Sequence, residues 1–124
     1  MVSRRIIVPT EKQEHLAFLD WVAYQPLIRE LIVHNANEYD GGVIGGAKRK
    51  RMGIKKGLPD FTLYLPTKLH HGLLIELKRI KGYKISPEQL WWNKTLNSLG
   101  YSAHFCYGSA SAILVTENYL KNLG

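Results

Sequence analysis

Glu76 and Lys78 stand two residues apart in the run Leu73–Arg79, whose other residues up to Arg79 are apolar. In a β-strand such residues share one face, about 7 Å apart at the α-carbons. Leu73, Ile75 and Leu77 then face the other way, into a core. A carboxylate and an ammonium on such a strand form either a surface ion pair or a working pair. Asp60 follows Pro59 at the mouth of a second apolar run, Phe61–Leu65. If the two runs pair as a hairpin, Asp60 returns beside Glu76 and Lys78. Two converging carboxylates repel each other unless a cation lies between them. Mg²⁺ is a hard cation held by one or two carboxylates, waters and substrate phosphate. It activates water and stabilises the charge that develops on a phosphodiester. A neighbouring lysine orients the nucleophile or stabilises the oxyanions. Taken alone, Asp60 is also an ordinary turn residue after proline.

The elements that must position these groups are legible around them. Thr10 and Gln13 have capping-box spacing and predict a helix, with Phe18, Leu19, Val22 and Ala23 on one face. Pro26 interrupts it, and the helical pattern resumes to Leu31. Ile32 to Ala36 has the character of a short strand. The stretch Gly41–Gly57 is glycine-rich and is expected to be irregular. Gly57-Leu58-Pro59 is a breaker, and Pro66 to Gly72 is a turn between the two strands of the hairpin. Ser86-Pro87-Glu88-Gln89 starts another helix, with Trp92, Leu96 and Leu99 as its inner face and Gly100 in the C′ position. Tyr101 to Tyr107 is a strand, and Ser109 opens a last helix to about Leu120. The order is α-β-β-β-α-β-α, an α/β sandwich, and one domain spanning 1–124 is expected.

The same residues carry a resemblance. Gly57-Leu58-Pro59-Asp60, then Glu76-Leu77-Lys78 sixteen residues on, then Gly82 and Ser86-Pro87-Glu88-Gln89, is similar to the VRR-NUC family, a branch of the PD-(D/E)XK nucleases. The resemblance implies a mixed central sheet flanked by helices. It implies Asp60, Glu76 and the Leu77 backbone carbonyl as ligands of Mg²⁺ or Mn²⁺, with Lys78 as the catalytic lysine. It also implies a glutamate on the first helix. Glu14 is preferred, because His15 follows it much as a glutamine follows the family's glutamate. Glu11 is the alternative, although the helix dipole by itself explains an acid in the first turn. Gln89 matches an active-site glutamine, and it equally completes a capping box with Ser86. Asn37 falls where the family has an asparagine. Small members of the family resemble phage-encoded enzymes that resolve Holliday junctions as homodimers. That implies a homodimer acting on branched DNA.

Charge agrees with a polyanionic partner. Lysine and arginine number 17 against 10 acids, a net charge of +7. Lys48, Arg49, Lys50, Arg51, Lys55 and Lys56 crowd together, and no acid lies between Asp40 and Asp60. Such a run needs either solvent or a phosphate backbone, which it would contact without reading bases. His70 and His71 lie in the hairpin turn, where solvation is a simpler account than a two-histidine metal site. Of the adjacent Trp91 and Trp92, Trp92 is the expected core residue. The one cysteine, Cys106, can form neither an internal disulfide nor a thiolate zinc cage, and its apolar setting suits a buried small hydrophobe. The apolar runs are too short for a membrane span or a signal peptide, so a soluble, cytoplasmic protein is expected. The rival readings are a non-catalytic DNA-binding module on the same fold, an exonuclease or restriction-like enzyme, and a basic domain without nucleic-acid chemistry.

Overall fold

The computed structural model describes residues 7–35 and 45–124. Its elements run α1 (Glu11–Ala23), β1 (Ile32–His34), α2 (Gly46–Arg51), β2 (Phe61–Leu63), β3 (Leu73–Lys78), α3 (Pro87–Ser98), β4 (Ser102–Tyr107) and α4 (Ser109–Leu120). One four-stranded sheet has the order β1-β2-β3-β4. β1 and β2, and β2 and β3, pair antiparallel, whereas β3 and β4 pair parallel. The parallel pair requires a crossover, and α3 supplies it.

Both capping boxes form. Thr10 Oγ1 accepts from Gln13 N at 3.1 Å while Gln13 Oε1 accepts from Thr10 N at 2.8 Å. Ser86 and Gln89 repeat the arrangement at 3.1 and 2.9 Å, with Pro87 opening α3. Beyond Ala23 the chain does not resume a helix. Residues 24–31 form turns such as Gln25 N to Val22 O and Leu31 N to Ile28 O. Pro26 has no N–H to give a helix and biases the residue before it towards extended backbone. The turns still bury Ile28 completely.

The sheet lies between two helical layers. Phe18 and Val22 of α1 pack with Ala112 and Tyr119 of α4 on Phe61, Leu63, Leu73, Ile75, Leu77 and Cys106. On the other face, Leu96 and Trp92 of α3 cover Leu74 and Ala103. Every residue of β3 is therefore buried, so Glu76 and Lys78 are not on a half-exposed strand. Leu99, expected on the inner face of α3, is 59 % exposed at the helix end.

The segment expected to be wholly irregular contains α2. Its sequence Gly-Ala-Lys-Arg-Lys-Arg combines good helix formers, and all four cations lie in the last turn, where the helix dipole favours them.

Candidate active site

The hairpin register fixes the site. Phe61 faces Ile75 and Leu63 faces Leu73, and one further step brings Asp60 abreast of Glu76. There the side chain replaces the ladder, as Asp60 Oδ2 accepts from Leu77 N at 2.8 Å. The backbone around Asp60 is clamped from β1. Asn35 N donates to Asp60 O at 2.6 Å, and Asn35 Nδ2 donates to Pro59 O at 2.9 Å and Thr62 Oγ1 at 2.8 Å. Gly57 (φ +83°) lets the approaching loop lie on the first turn of α3. A Cβ there would sit 2.6 Å from Gln89 N and from the Glu88 carbonyl carbon, and no side chain fits.

Glu76 is 3 % and Lys78 5 % exposed. Lys78 Nζ lies 3.9 Å from Glu76 Oε2, and this buried oxygen has no hydrogen-bond partner. Glu11 reaches the same place from α1. One carboxylate oxygen each from Glu11, Asp60 and Glu76 lie within 4.8 Å of one another. Burial, then the hydrogen bond and charge of Asp60, push the Glu76 carboxyl up to about 10, against only partial relief from Lys78. Burial would raise Asp60 too. Hydrogen bonds from His15 and Glu76, the His15 charge and the Leu77 N–H outweigh it and hold Asp60 below the usual range. Without a cation, then, one of the two acids keeps its proton. Three clustered carboxylates and an orphaned buried oxygen are the donor set that a hard divalent ion takes.

Residues 4–110 match the VRR-NUC domain family over most of the chain. The chain belongs to the VRR-NUC family. A solved structure described as a VRR_NUC domain protein is similar with a TM-score of 0.83 and 27% identity, over 95% of this chain and 93% of its own. Among curated proteins none matches significantly. The VRR-NUC assignment makes this a nuclease-type domain, and such a domain implies DNA as its partner. Divalent metals are usual in the family, and the carboxylate cluster is a possible place for one.

The two glutamates of α1 point to different places. Glu11, not Glu14, joins Asp60 and Glu76. Glu14 Oε1 accepts from Ser109 N at 3.2 Å, at the start of α4, where Gly108 offers no side-chain cap. A carboxylate at that helix N-terminus completes the cap and suits the dipole. Three positions apart on α1, the two acids serve different neighbours. Gln89 turns its carboxamide oxygen to Ser86 N, as the capping box requires. Lys48, Lys50, Arg51, Lys55 and Lys56 are exposed and Arg49 is half-buried. The end of this segment is tied to α3 by Trp92 Nε1, which donates to Lys56 O at 3.0 Å. Trp91 is 58 % exposed. Asn37 lies outside the described residues. Cys106 is fully buried, and burial pushes its thiol up to about 11. His70 lines a cavity of about 220 Å³ with Ser102 and His104, remote in the fold from Asp60. No helix among the described residues is long and apolar enough to cross a membrane.

Sequence reasoning gave no role to two residues that stand in the site. His15 Nε2 lies 3.2 Å from Leu77 O and 3.4 Å from Asp60 Oδ2. Burial alone would lower this imidazole. The hydrogen bond and charge of Asp60, the Leu77 carbonyl and Glu11 raise it instead. Its spacing of four from Glu11 along a helix was the available signal. Asn35, the clamp, carried no signal beyond lying within the expected strand Ile32 to Ala36.

Proposed function

We propose that this chain is a Mg²⁺- or Mn²⁺-dependent DNA endonuclease, one domain over 1–124, acting in the cytoplasm as a homodimer on branched DNA. The single observation that carries the reading is the meeting of Glu11, Asp60 and Glu76 beside the buried ammonium of Lys78.

Asp60, Glu76 and Glu11 would hold the ion, together with the Leu77 backbone carbonyl. When bound, a divalent cation polarises a phosphoryl oxygen and makes water a better nucleophile. The protein residues do the remaining work. Lys78 would orient the attacking water and offset the charge gathering on the phosphoryl oxygens. The Leu77 N–H fixes the Asp60 carboxylate, and Asn35 fixes the loop that carries it. The exposed cations between Lys48 and Lys56 would follow the DNA backbone, contacting phosphates without reading bases. One chain supplies one such centre, so symmetric cutting of two strands calls for two chains.

Labelled four-way junction, splayed arm, flap and plain duplex DNA, incubated with Mg²⁺, Mn²⁺ or EDTA, test the reading. Metal-dependent cutting of junctions is expected, with a Glu76→Ala protein that binds DNA and does not cut and a Lys78→Ala protein that binds it and cuts about 10²–10³-fold more slowly. Binding without cutting by the unaltered chain would replace the enzyme with a DNA-binding module. A sedimentation mass of one chain on DNA would sink the dimer.

A further inference from the structure

Asp60 belongs to a second convergence. His15, His34 and Asp60 each bring one donor atom to within 4.8 Å of the others. Two imidazole nitrogens and one carboxylate oxygen differ in kind from the all-oxygen cluster next to them. We propose that these three residues form a separate cation site, selective for a borderline transition-metal ion such as Zn²⁺, sharing Asp60 with the carboxylate cluster.

Three features of the fold prepare it. The His15 and His34 rings meet edge to face with centroids 5.6 Å apart. Both rest on Phe61, at 5.2 and 5.0 Å, and Phe61 is itself fully buried. His34 pairs with Phe61 across β1 and β2, and the next residue, Asn35, is hydrogen-bonded to Pro59, Asp60 and Thr62. The strand that bears His34 is thereby locked to the loop that bears Asp60. His34 is exposed, so an ion can arrive from solvent. Donors around a tetrahedral zinc ion stand roughly 3.4 Å apart, and the three donor atoms here lie within 4.8 Å of one another with the His34 side chain at the surface. A fourth position is left for water. Nitrogen donors favour zinc, cobalt or nickel over magnesium.

Binding of Zn²⁺ itself does not depend on the nuclease reading, but its consequence does. An ion here competes for the Asp60 carboxylate, so Zn²⁺ inhibits cutting supported by Mg²⁺. The test is titration of the full chain with Zn²⁺ in excess Mg²⁺ and without DNA, by calorimetry, with Co²⁺ as a visible-absorption probe of tetrahedral nitrogen ligation. One Zn²⁺ per chain is expected. His34→Gln should weaken it by at least about 10-fold, since even a group behind a ligand is worth 10–100-fold. Glu76→Gln should keep it. His15→Gln is the second variant, with circular dichroism to confirm that each chain folds. Equal Zn²⁺ affinity in the unaltered and His34→Gln chains overturns the proposal. So does loss of binding in Glu76→Gln with retention in His34→Gln. Zn²⁺ binding in the expected pattern by a chain that never cuts DNA supports this site and removes the nuclease reading alone.

Discussion

The carboxylate centre and the basic segment carry the charges that matter, and they treat them in opposite ways. At the centre, Asp60, Glu76 and Lys78 are nearly inaccessible. Water cannot screen them, so each shifts its neighbours, and Glu76 holds a proton far above its usual range. In the basic segment the cations are mostly exposed. Water screens these charges from one another. The first region suits a bound ion and a reacting phosphate, and the second suits reversible attraction to a polyanion. On the proposed function, chemistry and affinity have separate addresses in the chain, and substitutions should separate them.

The largest effects belong to the centre. Glu76→Gln should abolish metal-dependent cutting, and Lys78→Ala should slow it by about 10²–10³-fold with DNA binding retained, as gel cleavage and mobility shift would register. Activity surviving in Glu76→Gln would break the contrast outright. The Glu76 variant carries a second signature. Its amide resembles the protonated acid, so without metal it should melt higher than the unaltered chain at neutral pH.

Proton linkage gives the next effect. The folded chain keeps the Glu76 proton up to about 10, whereas in an unfolded chain it is lost near 4.5. Between these values the unfolded state binds fewer protons, so the contribution of Glu76 to stability is fully present below about 4.5 and declines as pH rises towards 10. Melting of the metal-free chain across that range should show the decline, and excess Mg²⁺ should flatten it. Calorimetry in buffers of different ionisation enthalpy should find about one proton released per ion bound at neutral pH.

Comparing Glu11 with Glu14 sharpens the boundary of the centre. Glu11→Gln should cut metal affinity by about 10–100-fold and leave the melting temperature nearly alone. Glu14→Gln should do the reverse, costing about 0.5–2 kcal/mol of stability through the α4 cap. Both would be read by Mn²⁺ titration and thermal melts. The smallest effects lie in the basic segment. Each of Lys50→Ala and Lys55→Ala should weaken DNA binding modestly and lower the salt slope by about 0.9 if its ammonium meets a phosphate.

Much of this was written in the chain order. Capping boxes, the breaker before Asp60 and strand spacing at Glu76 and Lys78 are local patterns, and local patterns survive folding. The hairpin followed from two apolar runs with a turn between them. What could not be read needed distances through space. Which α1 glutamate meets Asp60 depends on the angle at which α1 crosses the sheet, and that angle is set by Phe18 packing on Phe61 and by the α4 face. The role of Asn35 depends on β1 lying beside β2, a pairing between segments far apart in sequence. Turns at 24–31 replaced a helix because one proline outweighed a weak periodicity. α2 escaped notice because the glycines around it hid five consecutive good helix formers, Ala47–Arg51.

The loop before Asp60 leans on the first turn of α3 at Gly57, and α3 begins only at Pro87. During synthesis the ribosome releases Asp60, Glu76 and Lys78 before the support that steadies them has been completed. A nascent or truncated chain that stops short of α3 holds every acidic group of the centre in its sequence and lacks the platform that aligns them. The carboxylate centre is thus complete in sequence well before it is supported in structure.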